Sequence, residues 1–181
     1  MKVKVIGLIG LKDCGKTQTL KMLTHKFNER KAIIVRHEYK KDFDFRIKED
    51  NRYVIIYKDK RICVCTYGDT TEDIDDNIEL FKDNKDFPKE NQTCIAISAV
   101  RIYPKRVEVT ENHKLKYTGD LCKKSKYRIE ALEKFAKDNG TEVIWFEKTK
   151  ASHHEKESEE ASNEKMCDEI MKKIDELIDE M

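Results

Sequence analysis

Apolar residues along this chain come in short runs divided by charged stretches, and the period of each run predicts a conformation. Val3 to Ile9 is rich in β-branched residues and closes on Gly10, the pattern of a strand buried on both faces. Thr17 to Asn28 then sets Leu20, Met22, Leu23 and Phe27 at helical spacing. Ala32 to Val35 is a second short run, followed by Arg36, His37 and Glu38. Residues 38–51 are almost all charged, with only a weak alternation of Phe43, Phe45 and Ile47, and predict a mobile loop over a site.

Further along, Tyr53–Tyr57 and Ile62–Thr66 flank the short polar turn Lys58-Asp59-Lys60, which predicts a hairpin. Tyr67-Gly68-Asp69-Thr70-Thr71 leads into a helix carrying Ile74, Ile78, Leu80 and Phe81. Thr70 or Thr71 is its expected cap, and Asp73, Asp75 and Asp76 suit the positive end of its dipole. Pro88 closes the connection to the strand Cys94–Val100. Arg106–Val109 and Lys114–Tyr117 bracket a second predicted hairpin. Tyr127–Asp138 reads as an amphipathic helix stopped by Asn139-Gly140, and Val143–Phe146 as the last strand. Residues 148–165 read as a polar linker. Met166, Ile170, Ile174, Leu177, Ile178 and Met181 then form one stripe of a C-terminal helix that docks on the sheet. Strands alternating with helices predict one α/β domain over 1–181 with a mostly parallel central sheet and one or two β-hairpins.

Composition sharpens this picture in a few respects. The 181 residues suit a single core, and 40% are charged with signs that cancel to a net +1, so no basic excess supports a nucleic-acid partner. No apolar stretch approaches the roughly 20 residues of a bilayer crossing, and the N-terminus lacks the pattern of a signal peptide. None of the six cysteines stands in Cys-x-x-Cys spacing. Reduced, mostly buried thiols and a cytoplasmic location are therefore expected.

The chemistry concentrates at Gly10-Leu11-Lys12-Asp13-Cys14-Gly15-Lys16-Thr17, which satisfies G-x-x-x-x-G-K-[ST] at every fixed position. Glycines let the backbone turn successive N–H groups toward a phosphate. Lys16 brings a point charge to the β- and γ-phosphates, the Thr17 hydroxyl binds magnesium, and the helix that follows, through Gln18, adds its N-terminal amides and dipole. Residues 3–28 thus resemble the opening strand, Walker A loop and first helix of the P-loop NTPase superfamily. The resemblance implies a three-layer α/β sandwich that binds ATP or GTP together with Mg2+; GTP is the less favoured because no guanine-reading motif follows a buried strand.

The same resemblance calls for a second carboxylate near the magnesium, at the end of another buried strand. Asp69 is the best match, although Gly68-Asp69 also reads as a plain turn, and Glu38 is the alternative. Arg101, just past the strand Cys94–Val100, would emerge near the phosphates and steady a transferring phosphoryl group, or else be a surface cation. Residues 101–124 hold a run of Lys, Arg and His around the second hairpin and read as a lid over the triphosphate or a small anionic acceptor, or as a solvated face. Tyr67 and Tyr103 are candidates to stack on a base. Asn84-Lys85-Asp86 does not match a guanine-reading Asn-Lys-x-Asp. The functional expectation is a small phosphotransferase or ATPase, the alternative a nucleotide-binding regulatory module acting through a protein partner.

Overall fold

The computed structural model describes residues 2–39, 51–83, 85, 93–109, 115–148 and 156–181. In chain order they form β1 (Lys2–Gly10), α1 (Lys16–Glu29), β2 (Ile33–Tyr39), β3 (Asn51–Tyr57), β4 (Lys60–Cys65) and α2 (Thr71–Lys82). There follow β5 (Thr93–Arg101), β6 (Pro104–Val109), β7 (Leu115–Leu121), α3 (Lys123–Asp138), β8 (Val143–Lys148) and α4 (Lys156–Asp179). Six strands make one sheet in the order β2-β3-β4-β5-β1-β8, while β6 and β7 pair separately as an antiparallel hairpin. Within the large sheet only β3 runs against its neighbours.

Alternation along the central strands splits the core into two layers. Ile6 and Leu8 of β1, with Ile95, Ile97 and Ala99 of β5, pack against Leu20, Leu23 and Phe27 of α1 and Ile170, Ile174 and Leu177 of α4. Val3, Val5 and Ile9, with Cys94, Ala96 and Val100, face Ile74 and Phe81 of α2 and Leu132 and Phe135 of α3. Both faces of the sheet are covered, which is why β1 and β5 read as continuous apolar runs.

Local chemistry sets the joints. Lys58 and Asp59 both take positive φ, 48° and 58°, so β3 and β4 are joined by the two-residue turn whose twist matches the strands. Of the two candidate threonines, Thr70 caps α2. Its hydroxyl accepts from Asp73 N at 3.1 Å, and the Asp73 carboxylate accepts from Thr70 N at 2.9 Å in a reciprocal capping box. At the other end of α2, the fully buried Arg61 donates to the carbonyls of Leu80, at 2.8 Å, and Phe81, at 3.4 Å.

Three expectations change. The polar linker begins only after Lys148, the buried last residue of β8, and residues from Lys156 onward are helical, so the stretch is a strand end and a helix start. Its polar composition reflects a helix with few apolar positions before Met166; Asn163 is the polar residue it buries there. Helix α3 starts at Lys123 rather than Tyr127 because Ser125 and Arg128 are inward-facing without being apolar. Glu38 and Tyr39 belong to β2 and Asn51 to β3, so both ends of the stretch expected as a 38–51 loop are strand; residues 40–50 lie outside the described residues, as do Pro88 and Asn84. The second expected hairpin is the pair β6 and β7, within residues 101–124; residues 110–114, with His113 and Lys114, lie outside the described residues.

Candidate functional site

Because β4, β5, β1 and β8 run parallel, their carboxyl ends share one edge of the sheet. There Gly10 stands in register with Arg101 on one side and Lys148 on the other. The chain leaves β1 at Gly10, turns through Leu11–Gly15 and begins α1 at Lys16. Two residues of the turn take left-handed backbone, Asp13 with φ 55° and Gly15 with φ 89°. Gly15 has a second reason to lack a side chain, since a methyl group there would lie 2.3 Å from Asn163 Oδ1 of α4. One at Gly10 would lie 2.6 Å from both Cys14 Sγ and the Lys148 carbonyl oxygen. The loop is thus drawn tight on the end of β8 and on α4.

Lys16 is 7% exposed, and its ammonium folds back over the turn. It donates to the carbonyls of Gly10 at 3.1 Å and Leu11 at 2.7 Å, and lies 3.6 Å from Cys14 Sγ. Among the described residues no carboxylate pairs with it. A buried cation solvated only by carbonyl dipoles is short of negative charge. Cys14 is buried, Thr17 half-buried, and Lys12, Asp13 and Gln18 are exposed around the turn, with Leu11 partly covered. Gly15, the N-cap of α1, offers no side chain to the first amides of the helix.

Asp69 and Arg101 come together beside this loop. Arg101 Nη1 donates to Asp69 Oδ2 at 2.6 Å. The backbone welds the neighbourhood: Arg101 N donates to Gly68 O at 2.8 Å and Ile102 N to Gly10 O at 3.1 Å, so the exit of β4 crosses the end of β5 beside the end of β1. Arg128 of α3, 1% exposed, donates to the Asp69 carbonyl oxygen and, at 3.3 Å, to Ser125 Oγ. Burial pushes the Arg128 guanidinium down from its ordinary range. Both guanidinium groups lie over the Tyr103 ring, Arg101 at 4.8 Å and Arg128 at 5.5 Å from its centre.

Other candidates fall elsewhere. Glu38 sits on β2, four inter-strand steps of about 4.8 Å from β1, too far to share a cation with the loop. Tyr67 is buried beneath Arg52, and Tyr103 carries the two arginines, so neither ring is a free stacking surface. His37 stacks on Tyr53 at the outer edge of the sheet; His153 and His154 lie outside the described residues, as do the basic side chains Lys105, Arg106 and Lys116. All six thiols are free, and burial pushes Cys65 up strongly and Cys167 up to about 11. Sequence reasoning missed Arg128, Asn163 and Lys148. The first had a signal, because it precedes Leu132 by four residues and so shares its helix face.

Among the described residues no group of three or more His, Cys, Asp or Glu side chains is gathered to hold a metal, and no helix is long and apolar enough to cross a membrane. No protein-family model, no curated protein and no solved structure matches the chain.

Proposed function

We propose that the chain binds a nucleoside triphosphate, ATP above GTP, in the turn Gly10–Thr17 as the P-loop of an α/β phosphotransferase or ATPase. The observation that carries this reading is the Lys16 ammonium, buried inside a tight glycine-flanked turn with only neutral partners among the described residues. A polyanion there would replace two neutral carbonyl acceptors with oppositely charged ones and meet the opening amides of α1 at the same time. The residues fit the group: left-handed backbone at Asp13 and Gly15 curls the turn, and the bare Gly10 and Gly15 let it close on the end of β8 and on α4.

Magnesium, once bound with the triphosphate, neutralises charge on the transferring phosphoryl group. Thr17 is the hydroxyl of this chain that would hold it. Asp69 is the nearest candidate carboxylate, and using it for the metal would require it to leave Arg101. Lys16 binds and orients the phosphates, and the packing of α4 on Gly15 keeps the turn closed.

The test is titration calorimetry with ATP, GTP and ADP, each with and without magnesium, on the natural chain and on Lys16→Ala. Binding of the triphosphates that vanishes in the variant supports the reading. Equal affinity in both proteins, or no binding to either, rejects it. Release of ADP that rises on adding a small anionic acceptor marks a kinase; release that is indifferent to the acceptor marks an ATPase.

A further inference from the structure

We infer that Asp69 is an internal stand-in for phosphate rather than a magnesium ligand: it holds Arg101 until a triphosphate takes its place. The inference rests on the triphosphate reading of the 10–17 turn and concerns how that site is controlled.

Arg101 is well placed to meet an anion in the turn. It continues the row Ile95, Ile97 and Ala99, which packs on the α1 face of the sheet, and it is the register partner of Gly10, the last residue before the turn. Its side chain is 13% exposed, whereas that of its partner Asp69 is 52% exposed. A carboxylate half in water keeps much of its hydration and holds a guanidinium weakly, so the pair exchanges readily for a stronger anion. Arg101 Nε, by contrast, is buried and makes no hydrogen bond among the described residues. The carboxylate therefore satisfies only part of the guanidinium.

The charge count points the same way. Arg101 and Arg128 share the Tyr103 ring, and among the described residues the only carboxylate bonded to either is Asp69, which bonds Arg101 alone, while Arg128 reaches the Asp69 carbonyl and the Ser125 hydroxyl. Two largely buried cations against one half-exposed acid leave a positive excess beside the turn, in addition to that of Lys16. A triphosphate supplies what is lacking.

The Asp69 backbone is fastened independently of its side chain. Its carbonyl accepts from Arg128 and its N–H donates to Asp73 Oδ2 at 3.2 Å, inside the capping box of α2. The carboxylate can swing into water while the 67–70 segment stays in place. Arg128 is thus a positioning residue, acting through the Asp69 main chain and the Tyr103 ring.

The experiment measures binding of magnesium-free inorganic tripolyphosphate and of ATP with and without magnesium to the natural chain, Asp69→Asn, Arg101→Met, the double variant and Lys16→Ala. Asp69→Asn is nearly isosteric at a half-exposed position, and a thermal melt checks that each variant is folded. If Asp69 masks Arg101, Asp69→Asn tightens magnesium-free binding by about tenfold, Arg101→Met weakens it by about tenfold, and the double variant matches Arg101→Met because the gain needs the arginine. A merely structural role for the pair would not give that non-additivity. Asp69→Asn leaving magnesium-free binding unchanged or weaker overturns the inference, and a loss confined to magnesium-containing solutions assigns Asp69 to the metal instead. Lys16→Ala binding as tightly as the natural chain would reject the triphosphate site itself, a failure read from a different protein.

Discussion

Two regions of this molecule are rich in charge, and they differ in whether each cation has an acid within reach. At the outer edge, between β2, β3 and α2, lies an open cavity of about 560 Å³ lined almost wholly by ionised side chains. There Arg36 pairs with Asp83 at 3.0 Å, Arg52 with Asp76 at 3.2 Å, and Lys82 with Glu79 at 3.2 Å. At the carboxyl edge of β1 and β5, among the described residues, no acid pairs with Lys16, and of two neighbouring arginines Arg101 is bonded to the Asp69 carboxylate while Arg128 reaches only the Asp69 carbonyl. The outer cavity is a roomy hollow, but its walls have already chosen one another. Unbalanced charge in a tight turn is the better guide to a ligand than volume, because a buried cation without a counter-ion is a standing cost that binding removes.

Lys16→Met strikes hardest at that contrast. Triphosphate affinity should fall at least about a hundredfold, some 2.7 kcal/mol, measured by calorimetry. The melting temperature should hold or rise, since the variant relieves an uncompensated buried charge. A large fall in stability with unchanged affinity would mean that the lysine serves the fold. Next in size is Gly15→Ala, which meets both left-handed backbone and the Asn163 amide 2.3 Å away. It should cost about 2 kcal/mol, read from chemical denaturation. Adding Asn163→Ala should recover only the steric share, because the positive φ remains. Full recovery would show that Asn163 contact alone excludes a side chain at this position.

Much of the carboxyl edge was legible because its signals are local. Gly10 and Gly15 at fixed spacing, a β-branched run before them and an amphipathic one after them specify the turn within a dozen residues. The Lys58-Asp59 turn and the Thr70 cap are equally local. Strand order is not. Nothing in Ile62–Thr66 or Cys94–Val100 says that β5, and not β4, lies beside β1, since both runs are buried alike and the choice is made by connections and packing. The run Ala32–Val35 announces a strand but not that it forms the sheet edge, where Ile33 is 64% exposed. Arg128 was missed although its spacing from Leu132 places it on the inner face of α3: in sequence it is one cation among many there, and the tertiary contacts with Asp69 and Tyr103 give it its part. The pairing of Asp69 with Arg101 was hidden too, because each was weighed singly as a partner for phosphate or metal.

Arg52→Met tests the other half of the comparison. Arg52 Nε donates to Asn77 Oδ1 at 2.9 Å, and its guanidinium lies 4.6 Å from the centre of the Tyr67 ring. Asn77 is fully buried and also donates to Tyr67 O at 3.1 Å and Ser98 Oγ at 3.0 Å, so it would stay in place with its oxygen orphaned. Stability should drop by about 1–2 kcal/mol in denaturant. Triphosphate affinity should stay within about twofold, as the small share of a distant paired charge implies. A tenfold loss of affinity would join the two regions into one site.

The smallest effect separates them by pH. The Lys85 N–H, at 3.0 Å, and the Arg36 guanidinium hold the Asp83 carboxylate below its ordinary range, against the opposing pull of burial. A carboxylate whose folded pKa lies below its unfolded one binds fewer protons in the native state. Its contribution is complete above the unfolded value, near pH 4, and is lost as acid carries the solution down through the lower folded value. The pair is solvent-screened, so its loss should be worth at most about 1 kcal/mol. Asp83→Asn should therefore lower stability slightly at pH 7 and flatten the acid limb of the stability curve below pH 4, with triphosphate binding at pH 7 unaltered. An acid limb of undiminished slope would show that Asp83 contributes nothing to it. A change in triphosphate affinity would mean that the outer cavity, with its cations paired, communicates with the turn at Lys16.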